Sequence, residues 1–207
     1  ILRDREITKN ISYLRSKGVL VTYKQCDVSN TVTFGKLIDT IYQKYNRIDM
    51  VIHGAGMIDD KFISEKTKDS FDKVFNTKVN SSMTLYQKLR LDSLKCIAFF
   101  SSTAGRFGNK GQTDYAAANE ILNRLAWKIK SEYQDMIVKS FNWGPWAHIG
   151  MASAVVNEQF IKRGIIPIEP EQGAAYFVHE LNNTNLYDVE VIFGQGTWDD
   201  RITHPIE

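Results

Sequence analysis

Apolar and polar positions follow two alternating periods along the chain. Short runs rich in β-branched and aromatic residues predict strands, and apolar residues recurring at three- and four-residue steps predict helices. The predicted strands span residues 19–23, 50–52, 96–100, 137–141 and 189–193. The predicted helices span residues 32–45, 67–91, 114–133 and 170–181. Strands alternating with helices are typical of parallel βαβ units, so the pattern predicts an α/β fold with a doubly wound parallel sheet.

Composition narrows the class of protein further. The chain has 207 residues, a formal net charge of +2 and 12% aromatic residues. These values suit a single domain over residues 1–207 and exclude a disordered chain. No apolar run approaches the ~18 residues of a membrane helix, and the near-balanced charge gives no reason to expect nucleic-acid binding. The four histidines lie at no metal-ligand spacing, so no metal site is predicted.

The cysteines and the first residues of the sequence indicate the expected cellular compartment. Cys26 and Cys96 lie in strand-like patterns and are expected to be reduced thiols. The sequence opens without a methionine or a signal peptide, so we expect a cytoplasmic piece of something longer.

The segments that follow the predicted strands carry the candidate chemistry. In an open α/β sheet, ligands bind in the crevice beyond the carboxyl ends of the strands. At these positions the sequence has residues 27–28, 53–56, 101–102 and 142–146. Each segment alone is equally well explained as a loop of turn-forming residues. Together they put a carboxylate, a pair of glycines, hydroxyls and a Gly-Pro turn on one rim, which favours a binding site.

Two predicted helices add polar residues to this rim. Lys78 falls on the inward-facing stripe of the helix that begins near Thr67, where an ammonium is costly to desolvate unless it is paired or functional. A lysine that bends past the helix edge is the alternative. Tyr115 begins the next helix, and Asn119 lies one turn later on the same side. That helix start is expected to face Ser102.

Five motifs stand in a characteristic order along the chain. They are His-Gly-Ala-Gly at 53–56, Ser-Ser at 101–102, Gly-Asn-Lys-Gly-Gln at 108–112, Asp-Tyr-Ala-Ala-Ala-Asn-Glu at 114–120 and Asn-Trp-Gly-Pro-Trp at 142–146. From about Gly18 to Gly196 the sequence resembles the ketoreductase domains of modular polyketide synthases. It is also similar to the reductase domains of polyunsaturated-fatty-acid synthases. Both belong to the short-chain dehydrogenase/reductase superfamily, so the resemblance implies a Rossmann-like fold.

The position of one lysine supports this resemblance. Ordinary members of the superfamily carry a Tyr-x-x-x-Lys pair on this helix. This sequence has Tyr115-x-x-x-Asn119 instead, with a lysine on the preceding helix at position 78. Polyketide ketoreductases show the same exchange of Lys and Asn. The resemblance therefore implies that Lys78 is catalytic.

The resemblance implies NADPH-dependent reduction of a β-ketoacyl thioester, held by phosphopantetheine on an acyl carrier protein, within a synthase whose other domains are partners. Tyr115 is implied to be the general acid, and Lys78 to bring its pKa closer to working pH and hold the nicotinamide ribose. Ser102 is implied to bond the substrate carbonyl, and Asn119 to position Lys78 or a relay water. The implied cofactor-binding residues are Asp27, Val28, Ala55, Gly56, Lys78, Tyr115, Gly144 and Pro145.

Stereochemistry and substrate cover are also implied by the resemblance. Ile-Asp-Asp at 58–60 is similar to the Leu-Asp-Asp signature of B-type ketoreductases, which make the D-hydroxy product. The residues implied in substrate binding and stereocontrol are Asp60, Phe107, Gln112 and Met151. Residues 148–164 resemble the mobile lid over the acyl chain, with an apolar cover of Met151, Val155, Val156 and Phe160.

One feature of the family is absent from the sequence. No T-G-x-x-x-G-x-G or G-x-G-x-x-G pattern occurs, so the N-terminal first βαβ portion, which takes the pyrophosphate and selects NADPH over NADH, is expected to be missing. This keeps two alternatives open. One is a non-catalytic scaffold or docking remnant, which the intact set of Ser102, Tyr115, Lys78 and Asn119 opposes. The other is a free-standing reductase or sugar-nucleotide epimerase of the superfamily, which the Tyr-x-x-x-Asn pattern opposes.

Overall fold

Helices and strands alternate along the chain in the computed structural model, which describes residues 2–151, 154–183 and 186–196. The helices are α1 (Leu2–Ser16), α2 (Thr31–Tyr45), α3 (Lys68–Lys88), α4 (Thr103–Phe107), α5 (Thr113–Glu132), α6 (Ala154–Lys162) and α7 (Pro170–Asn182). The strands are β1 (Met50–His53), β2 (Cys96–Ser102), β3 (Ile137–Trp143), β4 (Ile165–Ile166), β5 (Glu190–Phe193) and β6 (Gln195–Gly196).

The main sheet has four strands in the order β1-β2-β3-β5, and each neighbouring pair is parallel. Helices connect the successive strands, because a parallel pair needs a crossover. The strands β4 and β6 form a small antiparallel pair beside the sheet. The predicted α/β fold with a doubly wound parallel sheet is therefore confirmed.

Helices cover both faces of the sheet. On one face, Ile97 and Phe99 of β2 pack in a core with residues of α2, α3 and α5, among them Ile38, Leu85 and Leu122. On the other face, the next residues along the strands pack against α7, in a cluster that includes Ala98, Phe141, Trp143 and Phe177. Because β2 is buried on both faces, its residues 96–100 form a continuous apolar run, whereas the equally buried β3 includes the polar residues Lys139, Ser140 and Asn142.

Local signals explain where the helices begin. Thr67 caps α3 as predicted, since its side chain accepts a hydrogen bond from the amide of Ser70 at 3.2 Å. Asn30 caps α2 in the same way, through the amide of Thr33 at 3.0 Å. The short α4 was not predicted from the sequence; its cap is Ser102, whose hydroxyl accepts from the amide of Ala104.

The predicted strand at residues 19–23 is wrong. These residues adopt no regular structure, and Val19, Leu20 and Tyr23 are exposed, Leu20 fully so. A strand is stable only when a neighbour pairs with it, and none of the described strands lies against this segment. Gly18 follows the first helix with a φ of +79°. No helix in the described ranges combines the length and apolar character that crossing a membrane requires.

Candidate active site

A cavity of about 410 Å³ opens at the carboxyl edge of the parallel sheet, beyond the ends of β1, β2 and β3. This edge is where an open α/β sheet binds its ligands. Most of the residues selected from the sequence line the cavity: Gly56, Asp60, Lys78, Ser102, Gln112, Tyr115, Gly144, Pro145 and Met151. The others do not line it: Asp27, Val28, Ala55, Phe107 and Asn119.

Lys78 is held inside the molecule. It is only 2% exposed, and its Nζ donates a 2.8 Å hydrogen bond to the backbone carbonyl of Phe100. Burial lowers the pKa of Lys78 to about 8, because the ammonium loses its hydration. The Nζ lies 5.8 Å from the centroid of the Tyr115 ring. The side chain therefore points into the cavity, and the alternative of a lysine bending past the helix edge is wrong.

Gly56 provides the space that Lys78 occupies. A Cβ at position 56 would lie 2.9 Å from Cε of Lys78 and 3.2 Å from its Nζ. A Cβ at the neighbouring Gly54 would meet nothing within 4 Å. The second glycine of the 53–56 turn thus leaves room for the lysine, because a side chain there would displace the Lys78 ammonium.

His53, the first residue of this turn, has a buried side chain. Its Nε2 lies 2.6 Å from Oγ of Ser81, and burial together with the nearby Lys78 lowers its pKa to about 3. The ring is therefore neutral, which avoids a second buried cation beside Lys78.

Tyr115 stands in the first turn of α5, buried beside Ser102 and Lys78. Burial raises its pKa, and Asp60 adds to this, while the side chains of Ser102 and Asn119 act in the opposite direction. From the sequence, Lys78 was expected to bring this pKa closer to working pH; in the structure burial dominates and the pKa is raised. The phenol is consequently protonated at neutral pH, which is the state that a proton donor requires.

Ser102 lies at the junction of β2 and α4. Its hydroxyl oxygen accepts the amide hydrogen of Ala104 at 3.1 Å, as the cap of α4. A serine hydroxyl carries one hydrogen and two lone pairs, and this hydroxyl also hydrogen-bonds Tyr115, which acts to lower the pKa of the phenol. The residue therefore combines a structural hydrogen bond with a contact to the Tyr115 phenol.

Asn119 is fully buried one turn after Tyr115. Its Nδ2 donates to the backbone carbonyl of Tyr115 at 2.8 Å, and its Oδ1 has no hydrogen-bond partner within the described ranges. A buried acceptor of this kind is costly unless a donor reaches it. The amide oxygen is thus suited to hold a lysine ammonium or a water beside Tyr115, the candidate catalytic tyrosine.

A buried polar network supports α5 from behind. The hydroxyl of Ser101 donates to the backbone carbonyl of Asn119 at 3.1 Å and lies 3.2 Å from Oδ1 of Asn142. Asn123 donates to the same Oδ1 at 3.1 Å and accepts from the Ser140 hydroxyl at 2.7 Å. These bonds join β2, β3 and α5, so they fix the helix that carries Tyr115 relative to the strand that carries Ser102.

Asp60 and Gln112 meet at the other side of the cavity. Nε2 of Gln112 donates to Oδ2 of Asp60 at 2.8 Å. Partial burial raises the pKa of Asp60, against the lowering effects of Gln112 and of Lys66. The predicted stereocontrol residues Asp60, Gln112 and Met151 therefore line one site, whereas Phe107 lies outside it.

The residues expected to bind the adenosine end of the cofactor lie outside the cavity. Asp27 is exposed, and its Oδ1 accepts from the amide and hydroxyl of Ser29 at 3.0 and 2.7 Å, which lowers its pKa. The described residues fit the nicotinamide and ribose end of a nicotinamide cofactor. The reason is that the buried Lys78 and Tyr115 share one crevice with Gly144, which has no side chain. They do not form a complete cradle around Asp27.

An apolar wall completes the cavity. It consists of Phe100, Trp143, Trp146, Ile149 and Phe160. The two tryptophans were given no role from the sequence, although both belong to the motif at 142–146. Met151 and Phe160 of the expected lid contribute to the lining, while the side chains of Val155 and Val156 lie outside the described residues.

Comparison with known proteins agrees with this geometry. A family model described as KR domain matches residues 3–148. A polyunsaturated fatty acid synthase protein from Thraustochytrium sp. is 33% identical over 175 residues, 84% of this chain and 6% of that protein. Polyketide synthase PksN from Bacillus subtilis is 34% identical over 188 residues, 85% of this chain and 3% of that protein.

A solved ketoreductase domain from the bacillaene assembly line has a TM-score of 0.81 to this structure, at 29% identity. The similarity covers 96% of this chain and 48% of that one. The chain thus spans less than a tenth of the two synthases and about half of the solved domain.

Proposed function

The chain belongs to the KR-domain family, the ketoreductase domains of polyketide synthases within the short-chain dehydrogenase/reductase superfamily, and from this we propose that it is the catalytic part of a β-ketoacyl reductase. The substrate is a β-ketoacyl thioester on the phosphopantetheine arm of an acyl carrier protein, and the product is the β-hydroxyacyl thioester. The cofactor is NADPH, and the other domains of a larger synthase are its partners.

One observation carries the proposal: Ser102, Tyr115 and Lys78 converge on a single cavity, with Asn119 directly behind them. They come from three elements that are far apart in sequence. A domain that served only as a scaffold would have no need to bury a lysine against a tyrosine, because burying an unpaired ammonium is costly.

The cofactor and the protein each supply one part of the reaction, the hydride and the proton. The reduced nicotinamide supplies a hydride to the β-carbon when it is bound. Ser102 directs its hydroxyl hydrogen at the carbonyl oxygen, which gains negative charge as the C=O π bond breaks. Tyr115 transfers its phenolic proton to that oxygen, so the alcohol forms without a free alkoxide.

Lys78 and Asn119 support Tyr115 during this step. The ammonium of Lys78 stabilises the phenolate that forms when the proton leaves, and it also holds a ribose hydroxyl of the cofactor. Asn119 uses its buried Oδ1 to orient Lys78 or a water that returns a proton to Tyr115. Gly56, Gly144 and Pro145 border the nicotinamide end, and Asp27, Val28 and Ala55 border the adenosine end.

The orientation of the ketone follows from the residues opposite Ser102. Asp60, Gln112 and Met151 contact the acyl chain and direct the hydride to give the D-hydroxy, B-type product. The apolar wall of Trp143, Trp146 and Phe160 covers the chain, because excluding water strengthens the polar interactions at the carbonyl.

Deuterium transfer tests this function. The full-length protein receives a β-ketoacyl thioester on its carrier protein, with NADPH deuterated at both C4 positions. We expect one deuterium on the β-carbon and a D-hydroxyl by chiral chromatography, with a lower kcat/KM when NADH replaces NADPH. An L-hydroxyl contradicts only the B-type assignment. A folded protein that forms no deuterated product contradicts the reductase and supports the scaffold alternative.

A further inference from the structure

Lys66 and Asp114 form an ion pair that was not anticipated from the sequence. Nζ of Lys66 lies 2.7 Å from Oδ2 of Asp114, and the two side chains are only 3% and 1% exposed. Most ion pairs among the described residues lie on the surface; Lys68 and Asp72, slightly further along the chain, are an example. A buried pair of this kind is expensive to desolvate and is a weak source of stability. Its position relative to the cavity is therefore the informative feature.

Each partner of the pair contacts a backbone group next to the active site. Lys66 also donates to the carbonyl of Asp59 at 2.9 Å. The second carboxylate oxygen of Asp114 accepts from the amide of Tyr115 at 2.9 Å. The pair therefore connects the loop that carries Asp59 and Asp60 to the first turn of the helix that carries Tyr115. A carboxylate is favourable at that helix start, where the amides have no partner within the helix.

Three further hydrogen bonds hold the same loop. Ser70 donates from its hydroxyl to Oδ2 of Asp59 at 2.6 Å. The amide of Lys61 donates to the carbonyl of Gly111 at 3.0 Å, and Gln112 donates to Asp60 at 2.8 Å. Gln112 and Asp60 line the cavity, and the bond between them is exposed to solvent. The Lys66–Asp114 pair is the part of this link that solvent does not reach.

Charge gives the pair a second effect on the site. The carboxylates of Asp59 and Asp114 act on Asp60 and add to the rise of its pKa, and Asp60 in turn opposes ionisation of the Tyr115 phenol. Lys66 sits among them and offsets part of their negative charge. Removing its ammonium would leave a buried carboxylate adjacent to Tyr115 without a counter-ion.

We propose that Lys66 and Asp114 are positioning residues, which hold the Asp59-Asp60 loop against the start of α5 and so select the face of the ketone that is reduced. This inference rests on the proposed function, since it concerns how the same cavity orients its substrate. Neither residue lines the cavity, so both act through Asp60, Gln112 and Tyr115 rather than by touching the substrate. Small displacements of positioning groups are sufficient, because about 1 Å of misplacement can cost a rate of about 10²-fold.

The test compares Lys66→Met, Lys66→Arg and Asp114→Asn in the full-length protein. We expect Lys66→Met to raise the fraction of the minor hydroxyl enantiomer and to lower kcat/KM for the thioester by about 10- to 100-fold. NADPH affinity should change less than about twofold, because the loop lies on the substrate side. Lys66→Arg should restore most of the selectivity. The matched control Lys68→Met breaks the exposed pair with Asp72 and should leave both quantities at the wild-type level.

Unchanged enantiomeric ratio and kcat/KM in folded Lys66→Met would overturn the proposal. If that variant does not fold, Asp114→Asn tests the proposal, because the amide keeps the bond to Tyr115 but loses the charge. Wild-type selectivity in folded Asp114→Asn would also overturn the proposal. If the wild-type protein reduces no thioester, the proposed function fails. Hydrogen exchange at residues 111–116 then tests the positioning alone: it should accelerate in Lys66→Met and not in Lys68→Met, and equal exchange contradicts the proposal.

Discussion

The inner strands and the edge strand of the same sheet differ in how completely they are packed. Ile97 and Ala98 of β2 are both 0% exposed, whereas Ile52 of β1, which pairs with Ala98, is 50% exposed. Strand β2 pairs on both sides, while β1 pairs only with β2 among the described strands. The catalytic candidates Ser102 and Tyr115 are mounted on the fully packed part, and the cofactor candidates Asp27 and Ala55 lie towards the open edge.

The protein holds the residues proposed for proton transfer in the tightly packed part of the sheet. Proton transfer needs groups held within a fraction of an ångström, and the buried network behind α5 supplies that rigidity. The adenosine end of a cofactor needs contact but little such rigidity. Cofactor binding can therefore complete the open edge, whereas the residues on the catalytic side must already be in place before the substrate binds.

The largest expected effect is on stability, in a direct comparison of the two strands. Ile97→Ala should lower the free energy of unfolding by about 2–5 kcal/mol, because it leaves a cavity in a core closed on both faces. Ile52→Ala should cost less than about 1 kcal/mol, because half of the side chain is already in water. Urea unfolding followed by circular dichroism measures both. Equal losses would mean that β1 is packed as tightly as β2 in the full-length protein.

A smaller effect is expected where the two regions meet, at the turn after β1. Gly56→Ala should lower kcat for thioester reduction by about 10- to 100-fold, because the new methyl group displaces the ammonium of Lys78. Gly54→Ala adds the same methyl group two residues earlier without meeting any atom, so its loss should be clearly smaller. Steady-state kinetics at saturating NADPH separates the two. A larger loss in Gly54→Ala than in Gly56→Ala would contradict the role given to Gly56.

The smallest effect is a dependence on pH that arises from the packed region alone. The pKa of Lys78 is lowered to about 8, so its charge is lost as the pH rises through 8. We expect kcat to fall by about tenfold per pH unit well above that value. Stability should respond in the opposite direction: between pH 8 and the unfolded pKa of 10.5 the unfolded chain binds the extra proton, so this group makes the fold more stable as pH rises.

Lys78→Met separates these two trends. It should abolish the stability increase in this pH window and leave a low rate that no longer falls through pH 8. A rate profile that is identical in Lys78→Met and in wild-type protein would show that another group titrates.

Much of the packed region could be predicted from the sequence. Strand β2 begins with a continuous apolar run over residues 96–100, which is typical of a sheet covered on both faces. The buried position of Lys78 was also predicted from helical periodicity, since it falls on one stripe with Ser82 and Leu85, and the structure buries all three. These patterns are local, and the fold does not override them.

Three other features could not be predicted in the same way. Residues 19–23 have the composition of a strand, but composition does not supply a pairing partner. The Lys66–Asp114 pair escaped for a related reason: the two residues are 48 positions apart, and a lysine beside a helix cap normally lies in solvent. The five-residue α4 was too short to show a period, although its cap Ser102 was already selected for its chemistry.

The central claim is that Tyr115, in the packed region, is the proton donor of a β-ketoacyl reductase. Its most direct test is the rate of thioester reduction by Tyr115→Phe in the full-length protein, with the exposed Tyr13→Phe as the matched control. We predict a loss of about 10²–10⁴-fold in kcat for Tyr115→Phe with unchanged folding, and a wild-type rate for Tyr13→Phe. A rate near that of the wild type in folded Tyr115→Phe would contradict the claim.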